Sequence, residues 1–130
     1  MEANSLFKKL KLNTQVTLLI VNAPETYLAL LDGVSFDTVP ETNKKYDFVQ
    51  VFATTQAVLE RICAEVKDAG KYDCTFWACY PKGTGNIKSD IKRESVWVAL
   101  QLANLRPVSQ VAIDETWSAL RGRPEAAVGK

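Results

Sequence analysis

Asp73-Cys74-Thr75-Phe76-Trp77-Ala78-Cys79-Tyr80-Pro81-Lys82-Gly83-Thr84-Gly85-Asn86 reads as a strand running straight into a glycine-bearing loop. Strand side chains alternate between two faces. Cys74, Phe76, Ala78 and Tyr80 therefore share one face, and Thr75, Trp77 and Cys79 the other. Both sets are almost wholly apolar. That is the pattern of a central strand covered by helices on both sides, as in parallel α/β sheets. Pro81 has no N–H to give a ladder and is expected to end the strand. The glycines of the loop open backbone shapes that other residues avoid. Lys82, Thr84 and Asn86 bring a positive charge and polar groups suited to an anion.

Working outward, Val16–Val21 is a near-continuous apolar run and a second central strand. Asn22 with Glu25 three residues later resembles a capping box, and Pro24 suits a first helical turn. The helix this predicts, Glu25–Leu31, stops at Gly33. Val34–Asp37 reads as a further strand, Val39–Lys45 as a loop, and Tyr46–Phe52 as a strand whose only central polar residue is Gln50. Thr54 or Thr55 caps a helix in which Val58, Leu59, Ile62, Cys63, Val66 and Ala69 recur at three- and four-residue steps, with Gly70 ending it. Ser89 or Asp90 caps another helix, reaching Asn104, with Val96, Ala99, Leu100 and Ala103 on its inner face. Trp77 and Trp97 are assigned to the core. Val108–Ile113 carries more polar residues and reads as an edge strand. Asp114-Glu115-Thr116 turns into a last antiparallel strand, Trp117–Arg121. Leu6–Leu12 is expected to be a short helix packed on the sheet.

This order predicts one small Rossmann-like three-layer α/β domain over residues 1–122. Its sheet is mostly parallel with a C-terminal antiparallel hairpin, and 123–130 form a flexible tail. Ligands of such sheets sit outside the carboxyl ends of the strands, where helix N-termini offer N–H groups to anions. The candidate ligand-binding residues are Asn22, Asp37, Thr54, Thr55 and the loop Lys82, Gly83, Thr84, Gly85 and Asn86. Lys82 would act as a point charge, and Asp37 could hold ribose hydroxyls.

The chain has no histidine. That removes the commonest general base and the commonest zinc ligand. No catalytic residue and no metal ligand is singled out. Ser118 has no histidine to activate it, and Asp114 and Glu115 read as turn formers. Cys63, Cys74 and Cys79 form no Cys-x-x-Cys pair. They read as small buried hydrophobes, which suits a reducing, cytoplasmic setting. A net charge of +1 argues against nucleic-acid binding by bulk charge. The polar Asn13-Thr14-Gln15 directly after Leu12 leaves no signal-peptide core and no membrane span. Trp117 and Arg121 could stack as a cation–π pair that locks the hairpin.

Three motifs resemble a family of small bacterial proteins built on a domain of unknown function. They are Val21-Asn22-Ala23-Pro24, Tyr80-Pro81-Lys82 with its glycines, and Asp114-Glu115-Thr116-Trp117-Ser118-Ala119-Leu120-Arg121. The resemblance runs from about Leu6 to Arg121 and implies no activity. At fold level the order is similar to a shortened class I methyltransferase. That resemblance makes Val16–Val21 the first strand, Asp37 the acid at the end of the second, Tyr46–Phe52 the strand beside the cofactor, and Val108–Arg121 the terminal hairpin. The methyltransferase first loop is Gly-rich so that backbone can approach the cofactor. Here it is Asn22-Ala23-Pro24. The expected reading is a non-catalytic Rossmann-like domain that binds a small anionic ligand or a protein partner, with no cofactor. The alternative is a divergent methyltransferase-like or nucleotide-binding enzyme using S-adenosylmethionine or a nucleotide. A homo-oligomer formed through the Val108–Ile113 edge or the Trp117 hairpin is a third expectation.

Overall fold

The computed structural model describes residues 3–13, 16–83 and 87–128. Helix α1 spans Ala3–Leu10. It closes in a Schellman motif, in which Leu12 N–H donates to the Phe7 carbonyl at 2.9 Å and Lys11 N–H to the Lys8 carbonyl at 3.2 Å. Lys11 supplies the left-handed residue, with φ 58°. Leu6, Leu10 and Leu12 are buried, so this segment docks on the sheet as its apolar spacing predicts.

Strands β1 (Leu18–Val21), β2 (Tyr46–Phe52) and β3 (Gly70–Pro81) run parallel. Strands β4 (Arg106–Ala112) and β5 (Trp117–Arg123) form an antiparallel hairpin whose second strand pairs with β3. The order across the sheet is β1-β2-β3-β5-β4. This is the Rossmann-like α/β architecture expected, with β4 at one edge; β1, read as a central strand from its apolar run, stands at the other, where Asp37 alone bridges to it. One face carries α3 (Gln56–Glu65) and α4 (Arg93–Leu102), the other α1 and α2 (Glu25–Leu28) with its 3-10 continuation Ala29–Leu31. The alternation of β3 holds: Phe76, Ala78 and Tyr80 join the α3/α4 side, Trp77 and Cys79 the α1/α2 side. Cys63 and Cys79 accordingly lie on opposite faces of the sheet, both buried and unpaired.

Two buried polar side chains inside the α1/α2 layer have partners for each of their polar atoms. Trp77 Nε1 donates to the Leu10 carbonyl at 2.8 Å. Gln50 Oε1 accepts from Tyr27 Oη at 2.7 Å, and Gln50 Nε2 donates to Cys79 Sγ at 3.4 Å.

Several elements differ from expectation, each for a local reason. Val34–Asp37 makes one parallel bridge, Asp37 opposite Leu19, and is not a strand. Its apolar residues, Val34 and Phe36, pack against the α1/α2 cluster. Pro81 stays in the β3–β5 ladder opposite Trp117. The N–H of Lys82 goes to the Thr116 carbonyl of the neighbouring strand at 2.7 Å. By alternation the nitrogen of Pro81 faces the β2 side, past the end of β2 at Phe52, where no donor is needed. Gly70 is the first residue of β3, not a left-handed cap. A Cβ there would lie 2.4 Å from Cys74 Sγ. Helix α4 starts only at Arg93, because Ser89 and Asp90 cap elsewhere: Ser89 Oγ accepts from Ile91 N–H at 3.0 Å and Asp90 Oδ1 from Gln56 N–H at 2.7 Å. Trp97 is 49% exposed, since the buried stripe of α4 runs through Val96, Ala99, Leu100 and Ala103 and leaves position 97 about 100° off it. Strand β5 extends to Arg123, and a 3-10 turn follows at Glu125–Ala127 with Ala127 buried.

Among the described residues no helix is long and apolar enough to cross a membrane.

Candidate functional site

The carboxyl ends of β1, β2 and β3 stand side by side, with Val21 opposite Val51 and Phe52 opposite Cys79. After β1 the chain bridges to the outer side of that strand at Asp37, then crosses to β2 on its inner side. Strand order thus reverses between β1 and β2, the position where open α/β sheets hold ligands. Asn22 stands at this crevice. Its φ of 63° is a left-handed conformation that asparagine tolerates better than most residues. Its Nδ2 donates to the Phe52 carbonyl at 2.9 Å, so the side chain ties the two strand ends together. It does not cap α2, whose N-cap is Pro24 without a side-chain bond. An aromatic row packs nearby: Phe7 on Tyr27, Tyr27 on Phe52 at 5.1 Å, and Phe52 on Trp117 at 5.3 Å between ring centroids.

The other predicted residues divide. Thr55 caps α3, its hydroxyl accepting from Val58 N–H at 3.3 Å. Thr54 is exposed beside it. Lys82 and Gly83 lie at the end of β3, in line with Asn22 and Thr54 along one edge of the sheet. Thr84, Gly85 and Asn86 lie outside the described residues. Asp37 points away from this edge. Its carboxylate accepts from Tyr46 Oη and from Lys44 Nζ, the latter at 2.9 Å, and Tyr46 is the first residue of β2, at the opposite end of the strand from the crevice. The Tyr46 hydroxyl and then the Lys44 ammonium hold the Asp37 carboxyl below its usual range.

Two more carboxyls are lowered in the same way: Asp47 by Lys71 and Thr17, and Asp73 by Arg123, which makes two bonds to it at 2.7 and 2.9 Å. Each takes up its proton less readily folded than unfolded. Their stabilising effect is therefore complete above the unfolded carboxylate value of about 3.9 and is lost as pH falls through the lower folded values. Urea midpoints should hold steady from neutral pH to about 5 and fall below about 4. Asp73→Asn should make that acid fall shallower, and an unchanged pH profile would show that the Arg123 pair contributes nothing.

Sequence reasoning missed the residues that wall the open space at this end. Two adjoining clefts of about 390 and 420 Å³ share Pro81, Lys82, Gly83 and Ile91. Lys88 and Ser89 line the first, and Lys92, Arg93, Gln110 and Ser118 the second. Among the described residues no carboxylate is in either wall. The run Lys88-Ser89-Asp90-Ile91-Lys92-Arg93 was a visible signal, with its one acid turned away to the α3 N-terminus. Asp114 forms the expected turn, its Oδ1 accepting from Thr116 and Trp117 N–H, both at 2.8 Å. Trp117 packs on Phe52 rather than on Arg121. Arg121 pairs in register with Trp77, and its buried Nε makes no hydrogen bond.

Solved structures share this geometry at the level of the fold. A SAM-dependent methyltransferase from Aquifex aeolicus aligns over 93% of this chain and 88% of its own, at 14% identity and TM-score 0.58. An S-adenosylmethionine-dependent methyltransferase from Clostridium acetobutylicum aligns over 95% and 91%, at 8% identity and TM-score 0.59. The mitomycin 7-O-methyltransferase MmcR aligns over 95% of this chain at 9% identity and TM-score 0.61, the match covering 54% of that chain. The fold is the Rossmann-like one of these methyltransferases. At such identities the likeness is one of fold. No protein-family model and no curated protein matches the sequence, so the Asp114–Arg121 motif stands on its residues alone.

Proposed function

We propose that this methyltransferase-like fold binds a small anionic ligand and does not carry out group transfer. The observation that carries this reading is the division of the carboxyl edge. The crevice between β1 and β2 is bridged by the Asn22–Phe52 hydrogen bond, while the open clefts beside β3 are walled by Lys82, Lys88, Lys92 and Arg93, with no carboxylate among the described residues of either wall. A chain of nearly balanced charge, +1 overall, concentrates positive charge where such folds present ligands. Asp37, the acid that would meet ribose hydroxyls, is already engaged by Tyr46 and Lys44.

A second reading keeps S-adenosylmethionine. Its support is the φ of 63° at Asn22, a left-handed turn after the first strand of the kind a glycine would otherwise supply. One experiment separates the two. Under the proposed function, S-adenosylmethionine and S-adenosylhomocysteine at about 1 mM leave the melting temperature unchanged. A cofactor bound at about 10 µM would add about 2.7 kcal/mol at that concentration and raise the midpoint by several degrees. A saturable rise of that kind, lost in Asn22→Ala, would overturn the non-catalytic reading.

A further inference from the structure

We propose that the cleft between β3, β5 and the first turn of α4 is a phosphate site that seats the phosphoryl group of a small molecule. The inference rests on the anion-binding reading and places it in a cleft separate from the β1–β2 crevice. Its floor is Ser118, which is 6% exposed and sits in register between Tyr80 and Ala112. Trp117 and Ala119 belong to the α1/α2 side and Leu120 to the α3/α4 side. Alternation therefore aims the Ser118 hydroxyl at the α4 side, into the cleft it lines. Among the described residues that hydroxyl has no hydrogen-bond partner, and it is not one of the side-chain atoms sealed from solvent, so its donor and acceptor capacity is open to whatever occupies the cleft.

The surroundings supply what an anion needs. Lys82, Lys92 and Arg93 line the same cleft, and among the described residues none of them is in an ion pair. Tyr80 Oη, also in the wall, accepts from Gln110 Nε2 at 3.1 Å and keeps its own proton to donate. The Lys92 carbonyl takes the N–H groups of Ser95 and Val96 at 2.9 and 3.1 Å. The earlier N–H groups of α4, on Arg93 and Glu94, have no partner within the helix, and the positive end of its dipole faces the same space. Glu94, next to Arg93 in the chain, is not part of the wall. Hydroxyl, guanidinium, ammonium and backbone donors converging from three chain segments suit a tetrahedral group with several acceptor oxygens. A planar carboxylate would be satisfied by Arg93 alone.

The test is a titration of the full ¹⁵N-labelled chain with inorganic phosphate at low ionic strength, followed by amide shifts. Saturable shifts should centre on Arg93, Glu94 and Ser118. Ser118→Ala and Arg93→Gln should each weaken binding about tenfold, as expected for hydrogen bonds to a charged group, with melting temperatures unchanged. Weakening by Arg93→Gln but not by Ser118→Ala would reduce the cleft to a charged surface and overturn the built site. Shifts centred on Ala23 and Ala53, insensitive to both variants, would move the anion to the β1–β2 crevice and leave the anion-binding reading standing. Saturation by acetate without saturation by phosphate would remove the phosphoryl class alone. Silence toward both anions would remove the inference and the reading beneath it.

Discussion

Trp77→Ala is expected to cost about 3–5 kcal/mol of folding stability, a large part of the roughly 5–15 kcal/mol that holds a domain together. Trp77 is 1% exposed, in the middle strand of the sheet, on the face that receives α1. Truncation opens a cavity the size of an indole between the strand and that helix. It also strands a polar group. The Leu10 carbonyl, at the end of α1, is one of the acceptors that helix geometry leaves without a partner, and Trp77 Nε1 is its donor. Trp77→Phe refills much of the volume but not the bond, so about 1–2 kcal/mol should be lost. Urea unfolding followed by circular dichroism gives both numbers, and amide exchange in α1 should accelerate in the alanine variant. A cost below about 1 kcal/mol for Trp77→Ala would mean that α1 is held on the sheet by its leucines alone.

Gln50→Ala should be nearly as damaging, at about 2–4 kcal/mol, through a different mechanism. Gln50 is fully buried in the apolar half of its strand, between Val49 and Val51. Its carbonyl is the acceptor for Tyr27 Oη, whose pKa burial raises. Truncation leaves that hydroxyl enclosed with nothing to bond, and the penalty for an orphaned buried donor exceeds the net value of the bond that was lost. The remedy follows from the same asymmetry. Removing both polar partners, as Tyr27→Phe with Gln50→Leu, should recover most of the loss. A double-mutant cycle measures this directly. If the two changes add without coupling, the Tyr27–Gln50 bond does not account for a glutamine at this position.

The sheet was legible because its central strands are buried on both faces, and burial on both faces writes continuous apolar runs into the sequence. The opening strand was assigned residue by residue to the correct sides, the cap of α3 was narrowed to Thr54 or Thr55, of which Thr55 makes the bond, and Asp114 was recognised from turn chemistry. The misreadings share a cause. Local patterns report burial or capping without naming the partner. Val34 and Phe36 alternate like a strand, yet one bridge is all the backbone finds there. Asn22 has the chemistry of a helix cap, and spends its amide on a strand end thirty residues away in the chain. At the candidate site the limit is topological. Lys82, Arg93 and Ser118 meet only because β5 inserts between β3 and β4, and no spacing within one segment announces that. The lysine was visible as a charge. The serine of the same cleft looked inert, since without a histidine it could not be a nucleophile, and its place in that wall depends on neighbours from other strands.

The distribution of the thiols has a practical consequence. Cys63 and Cys79 lie on opposite sides of the sheet, and burial pushes the Cys63 thiol up to about 12 and that of Cys79 higher as well. Only the ionised sulfur attacks an alkylating reagent, so each thiol stays silent until its own layer comes away from the sheet. Cys63 and Cys79 thus serve as two chemical clocks, one per layer, beside the half-buried Cys74, and the order in which they run down under mild denaturant records which helical layer lifts first.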